Sequence, residues 1–364
     1  MKKFIYKILR YTNYLVIAAL LLSYLSVYVN PAKAWFLAFF GLAYPFLLIC
    51  NTLFILFWIS KKKAFAIIPI LAILIGWNYL SSYIQIPLKN QKKKYTETYE
   101  SVKVLSFNVR LFDLYKWNND ANTVDRIFEF IESENPDIIC FQDFYTTTGN
   151  LTETEIIKKL GNKHFKHINY TIEGKEYNYG IATFSKYPII NRGSIHFSNS
   201  FNTSIYTDIV INEDTVRVFN NHLQSIRFNK NNYKFISNSK SFKDDERMKE
   251  ILDISNRLRD AFIKRAGQAE IISNHIQNSP HSVFVCGDFN DAPVSYTYKT
   301  IKKGLKDSFT EAGKGIGNTY NGNFPSFRID YILHSKNIIC YRLDIEKVKL
   351  SDHYPVFGEF YLSK

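Results

Sequence analysis

The sequence predicts a mixed α/β domain over residues 101–364 that follows three membrane-spanning helices within residues 1–88. Two observations support this prediction. The first 96 residues contain no Asp or Glu and hold three long apolar segments. The rest of the chain alternates short runs of β-branched and aromatic residues with two amphipathic helical patterns, as expected for a sheet covered by helices.

The apolar segments cover residues 11–29, 35–59 and 64–84, and none contains a charged residue. Each is long enough for the roughly 20 residues that cross about 30 Å of hydrocarbon. Because no charged side chain lies within them, they predict a multi-pass anchor in the lipid bilayer rather than a transport pathway. A cleaved signal peptide remains an alternative for the first segment, because Ala32-Lys33-Ala34 is typical of a cleavage site.

Basic residues are concentrated in the predicted anchor. Twelve of the 46 Lys and Arg residues precede residue 97, which leaves 34 basic against 33 acidic residues in the rest of the chain. The pI of about 9.3 therefore does not indicate a nucleic-acid-binding domain. Seven of the twelve lie near the N-terminus and at residues 61–63, against five at the other segment ends. This bias favours a cytoplasmic N-terminus and a domain on the outer, periplasmic or extracytoplasmic, face of the cytoplasmic membrane.

Residues 89–100 are polar and lack periodicity, so they are predicted to link the anchor to the domain. Amphipathic helices are predicted at residues 122–134 and 245–277. The four cysteines show no zinc-binding spacing. Strands are predicted at residues 102–107, 137–141, 179–184, 205–211, 215–220, 282–286, 329–333 and 355–361.

Polar side chains follow several of these strands. Asp288 and Asn290 come directly after the apolar run at residues 282–286, at the strand end where α/β sheets place ligands. A carboxylate there can accept a proton from an attacking water, and an amide can donate a hydrogen bond to a phosphoryl oxygen. Taken alone, the pair is more typical of an Asx turn that ends a strand, and the other motifs reverse this preference.

The same arrangement recurs at Asn108 and Asp143, each preceded by an apolar run. Mg²⁺ prefers oxygen ligands and usually takes one or two carboxylates together with waters and substrate phosphate. Two histidines, His222 and His353, also lie at predicted strand edges, and Asp330 can hold one imidazole in a fixed tautomer. Together these residues predict a metal-assisted site for phosphate esters.

These residues resemble the endonuclease/exonuclease/phosphatase superfamily, which includes deoxyribonuclease-I-like nucleases and neutral sphingomyelinases. The resemblance covers residues 102–362 and implies a four-layer α/β/β/α sandwich. It is carried by the order and spacing of the motifs SFNVR (106–110), PDIICFQD (136–143), YGIATFSKYPI (179–189), NNHLQS (220–225), GDFNDAP (287–293), RIDYIL (328–333) and SDHYPV (351–356).

The resemblance implies a role for each matching residue. Asn108 and Asp143, with Asp352 assisting, would hold Mg²⁺, or Mn²⁺ in its place. Asp288 would orient or deprotonate the attacking water, and Asn290 would steady the phosphate. The remaining implied roles are a pairing of Asp330 with a phosphate-contacting His353, and a second phosphate contact or acid at His222. One departure is that family members usually have Glu where this chain has Asp143, which shortens the side chain by about 1.5 Å.

More than one class of substrate fits the sequence. Residues 225–243 interleave basic and aromatic side chains and begin with Arg227, a candidate substrate contact. This pattern suits a nucleic-acid backbone, a lipid headgroup or an ordinary solvated loop, and an inositol phosphate is a further candidate. The leading hypothesis is a membrane-anchored phosphoesterase without an obligate protein partner. The alternatives are a nuclease acting on DNA or RNA, and a scaffold protein of the same fold with weakened catalysis.

Overall fold

The computed structural model describes residues 2–86, 101–118, 120–161, 165–198, 200–239, 242–322 and 327–362. The predicted linker at residues 89–100 lies outside these residues. The α-helices are α1 (Lys2–Ser26), α2 (Pro31–Ala34), α3 (Phe36–Leu42), α4 (Tyr44–Lys61), α5 (Ile67–Ile75), α6 (Trp77–Ser81), α7 (Thr123–Glu134), α8 (Glu153–Lys159), α9 (Lys230–Ser237), α10 (Asp244–Gln277), α11 (Tyr296–Ile301) and α12 (Ser308–Ala312).

The strands include all eight that the sequence predicts, with ends shifted by a few residues. They are β1 (Ile84–Gln85), β2 (Ser101–Asn108), β3 (Ile138–Thr147), β4 (Phe165–Glu173), β5 (Tyr177–Ser185), β6 (Ile189–Ile195), β7 (Ser204–Ile211), β8 (Asp214–His222), β9 (Ser282–Asp288), β10 (Lys306–Asp307), β11 (Gly315–Ile316), β12 (Asp330–His334), β13 (Ile338–Ile345) and β14 (Val356–Leu362).

Two six-stranded sheets form the domain. One has the order β10-β12-β9-β8-β7-β6 and the other β13-β14-β2-β3-β5-β4. The pairs β2–β3 and β8–β9 are parallel, and the other pairs within these two sheets are antiparallel. All four edge strands, β4, β6, β10 and β13, were missed by the sequence prediction. β10 has only two residues, and β4 and β6 are largely exposed, so they lack a continuous apolar run.

The apolar clusters define four layers. Val104 and Cys140 of one sheet share a cluster with Val218 and Phe284 of the other, so the sheets pack face to face. Side chains of α7 and α8 cover the outer face of the β2–β3 sheet. Side chains of α10 and α11 cover the outer face of the β8–β9 sheet. This α/β/β/α arrangement agrees with the fold that the sequence resemblance implies.

The N-terminal helices differ from the prediction of three continuous spans. The second predicted span, residues 35–59, is divided at Ala43 into α3 and α4, and the third, residues 64–84, is interrupted at Gly76. A Cβ at Gly76 would lie 2.2 Å from the Tyr24 ring, so the helices approach closely where the third span breaks. Within the part of the chain that the structure describes, two helices are long and apolar enough to cross a bilayer, Lys3–Ser26 and Tyr44–Lys61.

These helices pack directly on the domain. Val294, in the loop before α11, shares an apolar cluster with Leu20, Tyr24 and Tyr44. At the same junction β1 pairs with β11 in an antiparallel bridge. Arg328 donates a hydrogen bond of 2.9 Å from Nη1 to the carbonyl oxygen of Ser82. The helical part is therefore fixed against the domain by apolar, backbone and charged contacts.

Candidate active site

The predicted site residues meet in one pocket with a volume of about 640 Å³. Eight of the nine line it directly, and they are Asn108, Asp143, His222, Arg227, Asp288, Asn290, Asp352 and His353. The ninth, Asp330, is buried behind His353 and bonded to its ring. Side chains separated by up to 245 positions in the sequence thus converge on a single cavity.

Strand direction explains this convergence. In the parallel pair β2–β3, Asn108 is paired with Gln142, so Asp143 lies one residue further along the same edge. In the parallel pair β8–β9, His222 is paired with Asp288. Strand β12 is antiparallel to β9, and the register pairs Asp330 with Asp288. The carboxyl ends of the two parallel pairs and the start of β12 therefore face one pocket.

Asp288 is the centre of the hydrogen-bond network. Its Oδ2 accepts from Asn108 Nδ2 at 3.1 Å and from Asn290 Nδ2 at 3.0 Å, and its Oδ1 accepts from the Asn290 backbone N–H at 2.7 Å. The Nε2 atoms of His222 and His353 each lie 3.8 Å from Oδ2. Burial raises the pKa of Asp288 to about 6, although both histidines act in the opposite direction.

His353 is held by Asp330, whose two carboxylate oxygens lie 3.1 and 3.0 Å from Nδ1. Burial by itself lowers the pKa of His353, but the charges of Asp330 and Asp288 outweigh it and raise the pKa to about 10. These three residues offer ligand atoms within 4.8 Å of one another, a spacing compatible with a metal ion. A protonated imidazole has no free lone pair, so the charge balance favours a proton here over a metal.

A second set of oxygen atoms lies beside this network. Asn108 Oδ1 accepts the Arg110 backbone N–H at 3.1 Å, and Ser351 Oγ, next to Asp352, donates to the Asn108 carbonyl oxygen at 2.9 Å. Asp143 is 39% exposed, and its Oδ1 lies 3.4 Å from His222 Nδ1. Two carboxylates and one amide oxygen on a pocket wall fit the oxygen ligands and low carboxylate number of a Mg²⁺ site.

Asp143 does not end its strand as the sequence suggested. Strand β3 continues to Thr147, and its register with β5 shifts between Phe141 and Phe144. Asp143 sits in this bulge with a φ of 47°. Because a bulge re-aims the side chain that it carries, the irregularity turns Asp143 toward the pocket in mid-strand.

The side-chain amide of Asn290 is used within the protein. Its Nδ2 donates to the carbonyl oxygen of Leu223 at 3.0 Å and to Asp288 Oδ2 at 3.0 Å. In this conformation the amide orients the Asp288 carboxylate, whereas the sequence reasoning expected it to donate to a phosphoryl oxygen. Asn290 itself adopts a left-handed conformation with a φ of 52°, which an Asn tolerates better than most residues.

Sequence reasoning missed Arg110. Residues 110–113 all have a positive φ, from 45° to 58°, and form a left-handed turn directly after β2. The turn brings the Arg110 guanidinium 3.3 Å from Asp352 and 3.9 Å from the centre of the Trp117 ring. Left-handed backbone costs roughly 1–2 kcal/mol per L-residue, and such strain is concentrated at functional sites. The only sequence signal was the position of Arg110 at the end of the SFNVR motif.

The rest of the pocket combines aromatic, basic and apolar side chains. Arg227 lines it with its guanidinium 5.2 Å from the ring centre of Phe201. Of the basic and aromatic stretch that starts at residue 225, Phe228 and Tyr233 also line the pocket. Leu42, from the N-terminal helices, is a further lining residue that the sequence gave no reason to expect.

Two family models match parts of the chain. The model of the endonuclease/exonuclease/phosphatase family matches residues 105–353, and that of a domain of unknown function (DUF8431) matches residues 6–83. No match was found among the curated proteins.

Solved structures show the same fold. An endonuclease/exonuclease/phosphatase from Bacteroides vulgatus is 16% identical with a TM-score of 0.52, over 72% of this chain and 100% of that chain. D. rerio TDP2 humanized by 14 mutations is 15% identical with a TM-score of 0.51, over 71% and 98%. D. rerio TDP2 complexed with a single-strand DNA product is 16% identical with a TM-score of 0.51, over 72% and 99%.

The family match spans more than half of the chain, and the motifs that it covers are those that converge on the pocket. The sequence resemblance is therefore confirmed at the level of the family. Its members are hydrolases that act on phosphate esters and generally use divalent metal ions. The chain belongs to the endonuclease/exonuclease/phosphatase family.

Proposed function

We propose that this protein is a membrane-anchored, Mg²⁺-dependent phosphoesterase that cleaves a phosphodiester or phosphomonoester by in-line attack of water. The observation that carries the proposal is the buried Asp288 carboxylate, which faces the pocket between His222 and His353. A carboxylate with a pKa raised to about 6 is matched to proton abstraction near neutral pH.

The hydrogen-bond network around Asp288 supplies the groups for the proposed reaction. Asp288, held by the amides of Asn108 and Asn290, orients and deprotonates the attacking water. His353, kept protonated by Asp330, donates a hydrogen bond to a phosphoryl oxygen. His222 lies beside Asp288 in the pocket, where it contacts the phosphate or protonates the leaving oxygen. Donors fixed in advance stabilise the charge that develops on the phosphoryl group.

Asn108, Asp143 and Asp352 would hold the metal ion through their side-chain oxygens. When bound, the ion neutralises charge on the phosphoryl oxygens as a Lewis acid. Mn²⁺ would be a workable substitute because it accepts the same oxygen ligands. Arg110 is proposed to act beside these residues, because it contacts Asp352 and adds a positive charge to the pocket.

The anchor is proposed to cross the bilayer three times, through α1, through α4, and through the broken segment α5–α6, which returns the chain to the domain side. Arg10 lies 5.5 Å from the Phe65 ring, so the basic residues near the N-terminus and at residues 61–63 share one end of the helices. The domain packs at the other end. The positive-inside rule then places the domain on the outer face of the cytoplasmic membrane. Asn13 accepts a hydrogen bond of 2.9 Å from Trp58, a contact that favours a retained first helix over a cleaved signal peptide.

The proposal is tested on the full chain in detergent or nanodiscs with bis-p-nitrophenyl phosphate and p-nitrophenyl phosphate. We expect hydrolysis that EDTA abolishes and Mg²⁺ restores. Asp288→Asn removes the base and should lower kcat by about 10²–10⁴-fold. Asp260→Asn, on the exposed surface of α10, is the matched control and should keep full activity. Hydrolysis that is insensitive both to EDTA and to Asp288→Asn would contradict the proposal.

A nuclease is the second candidate, because Arg227 and Tyr233 bring a cation and an aromatic ring to the pocket. The same preparation is therefore assayed on single-stranded DNA, RNA and plasmid. A nuclease would cut these substrates with a steep loss of activity at high salt, because the cations that it places on phosphates displace counterions.

A further inference from the structure

We propose that the N-terminal helices complete the catalytic pocket, and that the phosphate ester cleaved there is the headgroup ester of a membrane lipid. The hydrocarbon part of that lipid would lie against Leu42. This inference rests on the proposed function and adds to it the class of substrate.

Leu42 belongs to both the anchor and the pocket. It is the last residue of α3 and lines the same cavity as Asp288 and His353. The candidate span α4 starts two residues later, at Tyr44. Because the pocket wall and the start of the span are adjacent in the chain, the pocket lies at the surface of the bilayer if α4 crosses it.

The wall around Leu42 is apolar. Phe39 and Leu42 are three positions apart and share a face of α3, and the Phe39 ring lies 5.4 Å from that of Phe262 on α10. Leu258 lies one turn before Phe262 and also lines the pocket. Leu258 and Phe262 are nearly fully buried, and the half-buried Leu42 presents its remaining surface to a ligand. A nucleic acid or a free inositol phosphate would lose hydration against this wall without gaining hydrogen bonds.

The pocket also carries polar groups. Asp288, His353 and Asn108 line the same cavity as Leu42, so it offers polar contacts for a phosphate and apolar contacts for a hydrocarbon chain. Phe201, which is 64% exposed, lies on the pocket with Arg227 over its ring. An exposed aromatic ring beside a cation is typical of side chains that sit among lipid headgroups.

The wall is held rigidly against the domain. A Cβ at Gly41 would lie 2.4 Å from the Val294 carbonyl oxygen, so the α3 backbone touches the domain directly. Asn30 donates a hydrogen bond of 2.7 Å to Glu270 on α10. Lys299 lies 3.8 Å from the centre of the Tyr28 ring. These contacts before α2 and within α3 fix Leu42 relative to the domain.

The test uses the full chain in vesicles of phosphatidylcholine that contain phosphatidylglycerol, sphingomyelin or a phosphatidylinositol phosphate. Each lipid is paired with its deacylated or chain-free headgroup ester in solution. We expect the wild type to cleave at least one lipid about tenfold or more faster, in kcat/KM, than its chain-free counterpart, as burial of a few methylenes implies.

Leu42→Gln makes the wall polar at nearly constant size. It should remove most of the preference for the acylated lipid over its chain-free counterpart. Leu42→Met, an apolar replacement of similar volume, should retain the preference. Leu25→Gln is the matched control, because Leu25 is exposed near the same end of the helices and does not line the pocket. If Leu42→Gln fails to fold, Leu42→Trp is used instead, because its larger side chain would occupy the space proposed for the hydrocarbon chain.

The inference is overturned if the wild type cleaves chain-free esters or nucleic acid as well as any lipid, or if neither Leu42→Gln nor Leu42→Trp changes the preference. It is also overturned if either folded variant loses lipid and bis-p-nitrophenyl phosphate hydrolysis equally, since Leu42 then acts through the catalytic groups. In each case EDTA-sensitive, Asp288-dependent hydrolysis can persist, so the proposed function is judged separately.

Discussion

At the scale of single residues, the site depends on one buried carboxylate and on side chains that restrain it. Asp288 accepts one hydrogen bond from Asn108 at the end of β2 and two from Asn290 in the turn after β9, and it faces two imidazoles. Asp143 is restrained far less, because it is partly exposed and its ion pair is a single His222 contact of 3.4 Å. Among the proposed metal ligands, Asp143 is therefore the residue whose substitution should change the metal affinity most.

Asp143→Glu is expected to bind Mg²⁺ more tightly than the wild type, because the added methylene extends the carboxylate by about 1.5 Å toward the pocket. Asp143→Asn removes a charge from the ligand set and should weaken binding by roughly tenfold or more. Isothermal titration of Mg²⁺ into the metal-free protein measures both. Equal affinity in all three proteins would mean that Asp143 is not a ligand, and undetectable binding in all three would support the scaffold alternative.

At the scale of elements, buried amides hold the two sheets in register beneath the pocket. Gln142 Nε2 on β3 donates to Asn220 Oδ1 on β8 at 2.7 Å. The Asn220 amide in turn donates to the carbonyl oxygens of Ala182 at 2.9 Å and Phe141 at 3.2 Å. The bridge crosses between the sheets next to the bulge at Asp143, so it ties the metal-ligand candidates to β8 and β9.

Asn220→Leu is expected to lower the free energy of unfolding by about 2–4 kcal/mol, because it leaves several buried polar groups without a partner. Urea unfolding of the full chain in detergent gives the change. The same substitution at the exposed Asn274 on α10 should change stability by about 0.5 kcal/mol or less. If Asn220→Leu proves as mild as the control, the bridge does not hold the sheets together.

At the scale of the whole molecule, a buried ion pair in the domain lies at the junction with the N-terminal helices. Arg328, in the RIDYIL motif, contacts both the Ser82 carbonyl oxygen and the Asp307 carboxylate. Burial raises the pKa of Asp307, but the Arg328 charge outweighs burial and the net pKa is lowered. One motif thus supplies Asp330 to the pocket and Arg328 to the junction with the helices.

Asp307→Asn is expected to destabilise the protein by about 3–5 kcal/mol at neutral pH, since it leaves the buried guanidinium without its counter-ion. A carboxylate whose pKa is lowered by folding stabilises the protein above its unfolded pKa of about 3.9, and this contribution is lost as the pH falls through the lower folded pKa. The stability difference between wild type and variant should therefore be constant near neutrality and shrink below about pH 4.

Thermal unfolding in the same detergent from neutral to acidic pH measures this difference. Asp260→Asn, on the exposed surface of α10, is the control, and its stability should differ little from that of the wild type at any pH. A difference that grows as the pH falls would contradict the proposed ion pair.

The pattern of residues predicted the eight principal strands that the structure contains, together with a two-part organisation and nine candidate site residues. It did so because parallel strand ends carry local signals: an apolar run followed by Asn, Asp or His. It could not determine the largely exposed edge strands β4 and β6, or the bulge that turns Asp143, which depends on pairing with β5. The left-handed turn that places Arg110 is equally invisible, because no glycine marks it.

How the N-terminal helices meet the site depends on packing between elements that are distant in the sequence. The pattern of apolar residues predicts that α3 continues into a membrane span, because hydrophobicity reports burial without distinguishing lipid from protein. Packing on α10 and on the loop at Val294 instead places α3 against the domain and Leu42 in the pocket. Contacts between positions this far apart in the chain arise from the three-dimensional arrangement of elements, and no local spacing encodes them.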